Sequence, residues 1–344
     1  MGFKCLLTSP RHANSIYAAG SYKAGYGTDG SRAIKLQKMY LLANKLKENI
    51  LKFSILVISL LFTSLSYADY SRDQAMTVTN LNGIDIAYTT AGDASAPPIL
   101  MVMGLTGSHR LWGEDFVNGL VDGGYRVILF DNRDTGKSAR LQAMGEPTLW
   151  WEMLKNTVGL DVNAPYSLND MAADAIAVMD ELDIEKAHIV GASMGGMIAQ
   201  IIAAEYPQRT ETLVSIMSTT GAPHLPTASD EASGDLLEIG DATQEEGVAK
   251  MHDIGIYPGS LPRQLMAIIS AGDRSEQVKT ITVPTLVLHG EDDPLLPLPH
   301  GQHTHELIEG SKFISFSGMG HDMPAVVVPK LVGAMTTHFA QFAQ

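Results

Sequence analysis

At 344 residues, 45% hydrophobic and 18% charged, the chain has apolar material for a sizeable core, and its composition excludes a collagen, a coiled coil or a disordered polymer. The formal charge of −14 is unevenly spread: residues 1–68 hold nine Lys/Arg against two acids, and the remaining 276 hold 15 basic and 36 acidic residues, or −21. A body of that sign repels nucleic acid and anionic membrane surfaces, so neither is expected as a partner.

The first segment reads as an address label. Residues 53–64 (FSILVISLLFTS) are a short apolar run behind Lys45, Lys47 and Lys52 and ahead of Ser66-Tyr67-Ala68, with small residues where a signal peptidase reads. The expectation is a signal peptide over residues 39–68, opened by Met39 and cleaved after Ala68, which puts the mature protein in the periplasm or outside the cell. The run is shorter than the ~20 residues that cross a bilayer, so no stable membrane span is expected after cleavage. Residues 1–38, Gly-, Ser- and Tyr-rich without period, read as a disordered extension or a mis-called start. The sole cysteine, Cys5, falls among them, so neither a disulfide nor cysteine catalysis is expected in the mature chain.

From residue 69 onward, strand and helix patterns alternate nearly to the end, the mark of an α/β fold with a mainly parallel sheet and helices on both faces. Met76–Leu81 and Ile84–Thr90 flank Asn82-Gly83, a strong hairpin signal that pairs them antiparallel at one edge. Ile99–Met103, Arg126–Phe130, Ala187–Val190, Thr212–Met217, Thr285–Leu288 and Phe313–Phe316 are continuous apolar runs, as strands buried on both faces require. That makes eight strands. The clearest helix is Ser167–Leu182, with Ser167 and Asp170 at capping-box spacing before a stripe of Met171, Ala175, Val178 and Met179. A second follows Ser193 and ends near Tyr206-Pro207, and a last one spans about Ala325 to Phe342. Residues 219–262 break the pattern with Gly, Pro, Ser and acids, and read as a small cap of short helices.

The chemistry centres on Gly191-Ala192-Ser193-Met194-Gly195, which runs from a buried strand straight into a helix. This is a nucleophile elbow. It holds the serine in a strained turn where side chains two residues to either side would collide, and the helix N-terminus beneath favours developing negative charge. A hydroxyl becomes a nucleophile at neutral pH only with a base, and the base needs an orienting acid. Downstream, Thr285–Leu288 runs into His289-Gly290-Glu291-Asp292-Asp293-Pro294, and Phe313–Phe316 runs into Ser317-Gly318-Met319-Gly320-His321. His321 is the expected base. Asp293, just before Pro294, is the expected orienting acid, with Asp292 the alternative. The oxyanion hole is expected from the N–H groups of Met194 and Leu105, the latter in Gly104-Leu105-Thr106-Gly107; Met103-Gly104 stands where a His-Gly pair is common.

The order Ser193, acid, His321 is that of the α/β-hydrolases. From Pro98 on the chain resembles that superfamily. The segment Val102–Trp112, the run Phe130-Asp131-Asn132-Arg133-Asp134-Thr135-Gly136-Lys137-Ser138 and Gly191–Gly196 resemble bacterial esterases of the aclacinomycin methylesterase type. The resemblance implies a Ser-Asp-His hydrolase of a small-molecule ester, with a cap and without cofactor.

Other features carry less. His300, His303 and His305 lack a second group of ligands, so no metal is expected. His289 reads as a packed residue, the Asp131–Ser138 run as turn and loop hydrogen bonding, and Trp112, Trp150 and Trp151 as core or the wall of an acyl pocket. The rival functions are a carbon–carbon bond hydrolase, a small-peptide aminopeptidase or a haloperoxidase-type perhydrolase on the same three residues, and last a non-catalytic binding protein. Dehalogenases and epoxide hydrolases would need Asp at position 193.

Overall fold

The computed structural model describes residues 70–230, 232–233 and 245–342. The expected signal peptide, the extension before it and Cys5 lie outside the described residues, as do positions 231 and 234–244 of the expected cap.

Eight strands form one sheet: β1 (Thr77–Leu81), β2 (Ile84–Ala91), β3 (Pro98–Val102), β4 (Arg126–Phe130), β5 (Ala187–Ala192), β6 (Thr210–Ile216), β7 (Thr285–Gly290) and β8 (Lys312–Phe316). Their spatial order is β1-β2-β4-β3-β5-β6-β7-β8. The β1–β2 and β2–β4 pairs are antiparallel and the rest parallel. Asn82 and Gly83 both take positive φ, 52° and 81°, which is what a two-residue turn matching the twist of its strands demands. From β3 the chain moves outward to β4, then returns to the other side of β3 as β5. The crevice at the carboxyl ends of β3 and β5 is therefore the switch point where ligands of such sheets bind.

Successive side chains of a strand face opposite sides, and the two halves of the core follow from that. Leu100, Val102, Ile128 and Ile189 pack with α3 (Leu168–Glu181) and α4 (Met194–Glu205). Ile99, Met101, Leu129 and Val190 pack on the other face with α1 (Glu114–Asp122) and α9 (Val328–Phe339). Helix α3 begins as the spacing requires: Ser167 accepts from the Asp170 N–H, the Asp170 side chain reaches back to the Ser167 N–H, and Met171, Ala175, Val178 and Met179 are buried. Helix α9 is shorter than expected from the sequence and opens at Val328, because Pro329 suits a first turn and no later position. Strand β8 also departs from the expected double burial. As the sheet edge, it leaves Lys312 and Ile314 exposed.

Between β6 and β7 the chain makes a helical excursion through α5 (Glu245–Asp253), α6 (Leu261–Ala271) and α7 (Ser275–Val278). It runs further than the expected cap of 219–262. Pro262 conceals the start of α6 from a composition reading but sits in its first turn, where proline is tolerated. The remaining helices are α2 (Leu149–Thr157) and α8 (Pro299–Leu307).

The run after β4 anchors this excursion. Asp131 accepts the N–H groups of His109 and Lys137, at 2.8 and 2.7 Å, and a Cβ at Gly136 would lie 1.9 Å from its carboxylate, so glycine is obligatory there. Arg133 grips Asp174 of α3 through two bonds of 2.6 and 2.8 Å. Asp134, fully buried, is held by Arg263 of α6 and by the Tyr166 hydroxyl. Removing one partner of a buried ion pair strands the other, at a cost of about 3–5 kcal/mol. Asp134→Asn, which tolerates the positive φ of 74° at this position, is expected to lower unfolding free energy by that amount in urea titration; a loss below about 1 kcal/mol, the scale of an exposed pair, would contradict the anchor.

Candidate active site

Ser193 links β5 to α4 with φ 56° and ψ −122°, a conformation that a residue bearing a Cβ adopts only when its surroundings impose it. The surroundings are backbone. A Cβ at Gly191 would lie 2.1 Å from the Gly195 carbonyl oxygen, and one at Gly195 would lie 2.0 Å from that of Val102. The Ser193 N–H donates to the Ile216 carbonyl at 3.0 Å, and its own carbonyl accepts from the Ser218 hydroxyl at 2.8 Å. Three neighbouring strand ends thus hold the turn.

His321 lies in the loop after β8. Its Nε2 is 2.9 Å from Ser193 Oγ and its Nδ1 is 2.8 Å from Asp293 Oδ2. Asp293, at the end of β7, is buried, and its Oδ1 accepts the N–H groups of Leu295 and Leu296 at 2.9 and 2.8 Å. With one oxygen fixed by backbone and the other on the imidazole, the carboxylate cannot rotate away. The neighbouring acids point elsewhere: Asp292 accepts from the Gly318 N–H, and Glu291 from the Ser315 hydroxyl. A Cβ at Gly290 would lie 2.2 Å from the Met319 carbonyl oxygen, so the end of β7 and the His321 loop touch through bare backbone. His289 is fully buried and donates from Nε2 to the Leu296 carbonyl at 2.7 Å. Burial holds it below the ordinary histidine range, and as a neutral ring it props the Asp293 turn.

Leu105 and Met194 flank the serine. A Cβ on Gly104 would be 3.1 Å from Ser193 Cβ, so the Gly104–Gly107 loop lies in contact with Ser193. Among the described residues, neither the Leu105 nor the Met194 N–H has a hydrogen-bond partner. Ser193, His321, Leu105 and Met194 all open onto a cavity of about 900 Å³, walled by Trp112, Phe116, Met197, Met217, Leu265, Leu296 and Met323. A volume of that size suits a small organic molecule. Most of these wall residues went unread in the sequence; Met217 and Met323 were findable as side chains just beyond strand ends or the histidine. Trp150 and Trp151 require a correction. They are 69% and 48% exposed on α2 and belong neither to core nor to pocket, because that helix turns them to solvent; Trp112 alone of the three lines the cavity. The three α8 histidines are engaged singly: His300 with Thr219 and the Pro226 carbonyl, His303 with Thr220, His305 with Ser311.

A sequence profile described as the alpha/beta hydrolase fold matches residues 97–251. The chain has the α/β-hydrolase fold. It is 25% identical over 294 residues to rhodomycin D methylesterase DnrP of Streptomyces peucetius, covering 72% of this chain and 92% of that one. It is 26% identical over 282 residues to a non-heme chloroperoxidase of Burkholderia pyrrocinia, covering 72% and 93%. In structure it resembles the esterase RhEst1 of Rhodococcus sp. ECU1013, with a TM-score of 0.58 at 20% identity over 78% of this chain and all of that one. The α/β-hydrolase scaffold is the common ground.

The elbow's tolerance is directly testable. Gly195→Ala puts a methyl group into the Val102 carbonyl, which is backbone and cannot swing aside. The variant is expected to melt at least ~2 °C below the parent by circular dichroism, corresponding to about 1 kcal/mol or more; an unchanged melting temperature would mean the elbow is looser than its geometry implies.

Proposed function

We propose that the protein is a serine esterase that cleaves a carboxylic ester of a small molecule through an acyl-enzyme. The observation that carries this reading is the imidazole of His321, hydrogen-bonded to Ser193 Oγ on one side and Asp293 on the other. In the neutral ring, Nδ1–H donates to Asp293, which leaves the Nε2 lone pair to accept the serine proton as Oγ attacks the ester carbonyl. The carbonyl oxygen, now an oxyanion, takes the free N–H groups of Leu105 and Met194. The imidazolium returns its proton to the departing alkoxide, and the alcohol leaves. Water then enters, gives a proton to Nε2, attacks the acyl carbon and releases the acid, and Ser193 recovers its proton. Every step uses groups of this chain, and none requires a cofactor.

The cavity supports a hydrophobic ester larger than acetate. Its walls are largely apolar, and its volume lies toward the upper end of small-molecule sites. The resemblance to methylesterases supports ester hydrolysis in preference to carbon–carbon cleavage or perhydrolysis, and the segment 39–68 supports action outside the cytoplasm.

On p-nitrophenyl esters, Ser193→Ala and His321→Ala are each expected to lower kcat by at least ~10³-fold, with Asp293→Asn milder because its carboxylate orients the ring. Retention of turnover by Ser193→Ala would overturn the reading. Amino-acid anilides assayed in parallel are expected to be poor substrates, and faster anilide than ester turnover would favour a peptidase. N-terminal sequencing of protein recovered from the medium or periplasm is expected to start at Asp69; a start at Met1 or Met39 would contradict export by cleavage.

A further inference from the structure

The loop that carries Leu105 is not self-supporting. Its central residue, Thr106, is buried and non-glycine, yet sits at φ 59°, a left-handed conformation that persists only where neighbours over-determine it. Those neighbours belong to the excursion between β6 and β7. Gln264 of α6, fully buried, accepts the Thr106 N–H on Oε1 at 2.7 Å and donates from Nε2 to the Arg133 carbonyl at 3.1 Å. The Thr106 carbonyl accepts the Tyr257 N–H at 2.8 Å, Gly107 bridges Ile256, and the Ser108 N–H donates to Gly255. On the body side, among the described residues, only Asn132 reaches the loop's start, donating to the Met103 carbonyl at 2.8 Å.

From this seam we propose that Gln264 is a positioning residue for the oxyanion hole, and that the excursion roofing the cavity is a structural half of the machinery that stabilises the tetrahedral intermediate. The proposal rests on the serine-esterase reading. The Leu105 N–H belongs to the peptide one residue before the Leu105–Thr106 peptide. Fixing Thr106 N–H on Gln264 fixes the second of these planes; the first lies between it and the Met103–Gly104 peptide held by Asn132, and its own Gly104 carbonyl accepts the Gly107 N–H at 3.3 Å, so it is bracketed on both sides. Gln264 has no need to touch substrate; it decides where the donor points. Its neighbour Arg263 is locked on Asp134, so α6 is a stiff arm. A displacement of about 1 Å in a catalytic donor costs up to 10²-fold in rate, and loss of the donor costs 10²–10³-fold.

The test measures kcat and KM on p-nitrophenyl butyrate for the full chain and for Gln264→Met, Gln264→Glu, Gly255→Ala and Ser193→Ala, with melting temperatures. Gln264→Met keeps the volume and removes the acceptor; kcat is expected to fall roughly 30-fold or more while KM moves less than about threefold. Gln264→Glu restores an acceptor for Thr106 and is expected to recover at least about tenfold of that loss. Gly255→Ala places a Cβ 2.7 Å from Ser108 Oγ and parts the seam from its far side; it is expected to lower kcat in the same way, and it decides the matter if Gln264→Met does not fold. A folded Gln264→Met that keeps kcat within about twofold, or loses only KM, overturns the proposal. So does equal loss in the Met and Glu variants. If Ser193→Ala is inactive while the Gln264 and Gly255 variants keep their kcat, the positioning role alone fails; if Ser193→Ala remains active, the esterase reading itself fails.

Discussion

One imidazole joins two parts of the chain that are 128 and 28 residues from it. For His321 to meet both Ser193 and Asp293, the ends of β5, β7 and β8 must lie at one edge of the sheet with their loops in backbone contact. The glycines at 191, 195 and 290 remove the side chains that would hold those backbones apart. Parallel strands bring their carboxyl ends to the same edge, and the change of direction at β3 opens a crevice there. The site is thus a consequence of sheet topology made usable by missing Cβ atoms.

A second constraint acts above the sheet. The buried pairs Arg133–Asp174 and Arg263–Asp134 connect α3, the loop after β4 and α6, and α6 in turn holds the loop that faces the serine. Buried ion pairs of this kind add little net stability over apolar packing. Their value here is geometric, since they fix one position for α6 where a hydrophobic contact would let it slide.

Local features were legible in the sequence. The capping box of Ser167 and Asp170, the Asn82-Gly83 turn and the strand–serine–helix elbow each depend on residues within a few positions of one another, and each forms as its pattern requires. The strands buried on both faces announced themselves by continuous apolar runs; the edge strand β8 has the same composition, and only its place in the sheet exposes it. Choosing between Asp292 and Asp293 needs the turn itself, in which the N–H groups of Leu295 and Leu296 seize one carboxylate and Gly318 the other. Gln264 was invisible because its partner Thr106 is 158 residues away and a lone glutamine carries no periodic signal. Trp150 and Trp151 misled in the opposite direction: indole size suggests burial, but the orientation of α2 is a tertiary fact.

The account's central claim is that Ser193 is an activated nucleophile made so by His321. Labelling with a fluorophosphonate probe, mapped by mass spectrometry of proteolytic peptides, tests it most directly, because an organophosphorus centre reacts with a serine only when a base takes its proton. The account predicts a single stoichiometric adduct on Ser193 in the native protein, and none in His321→Ala. An unlabelled Ser193, or equal labelling without the imidazole, would contradict it.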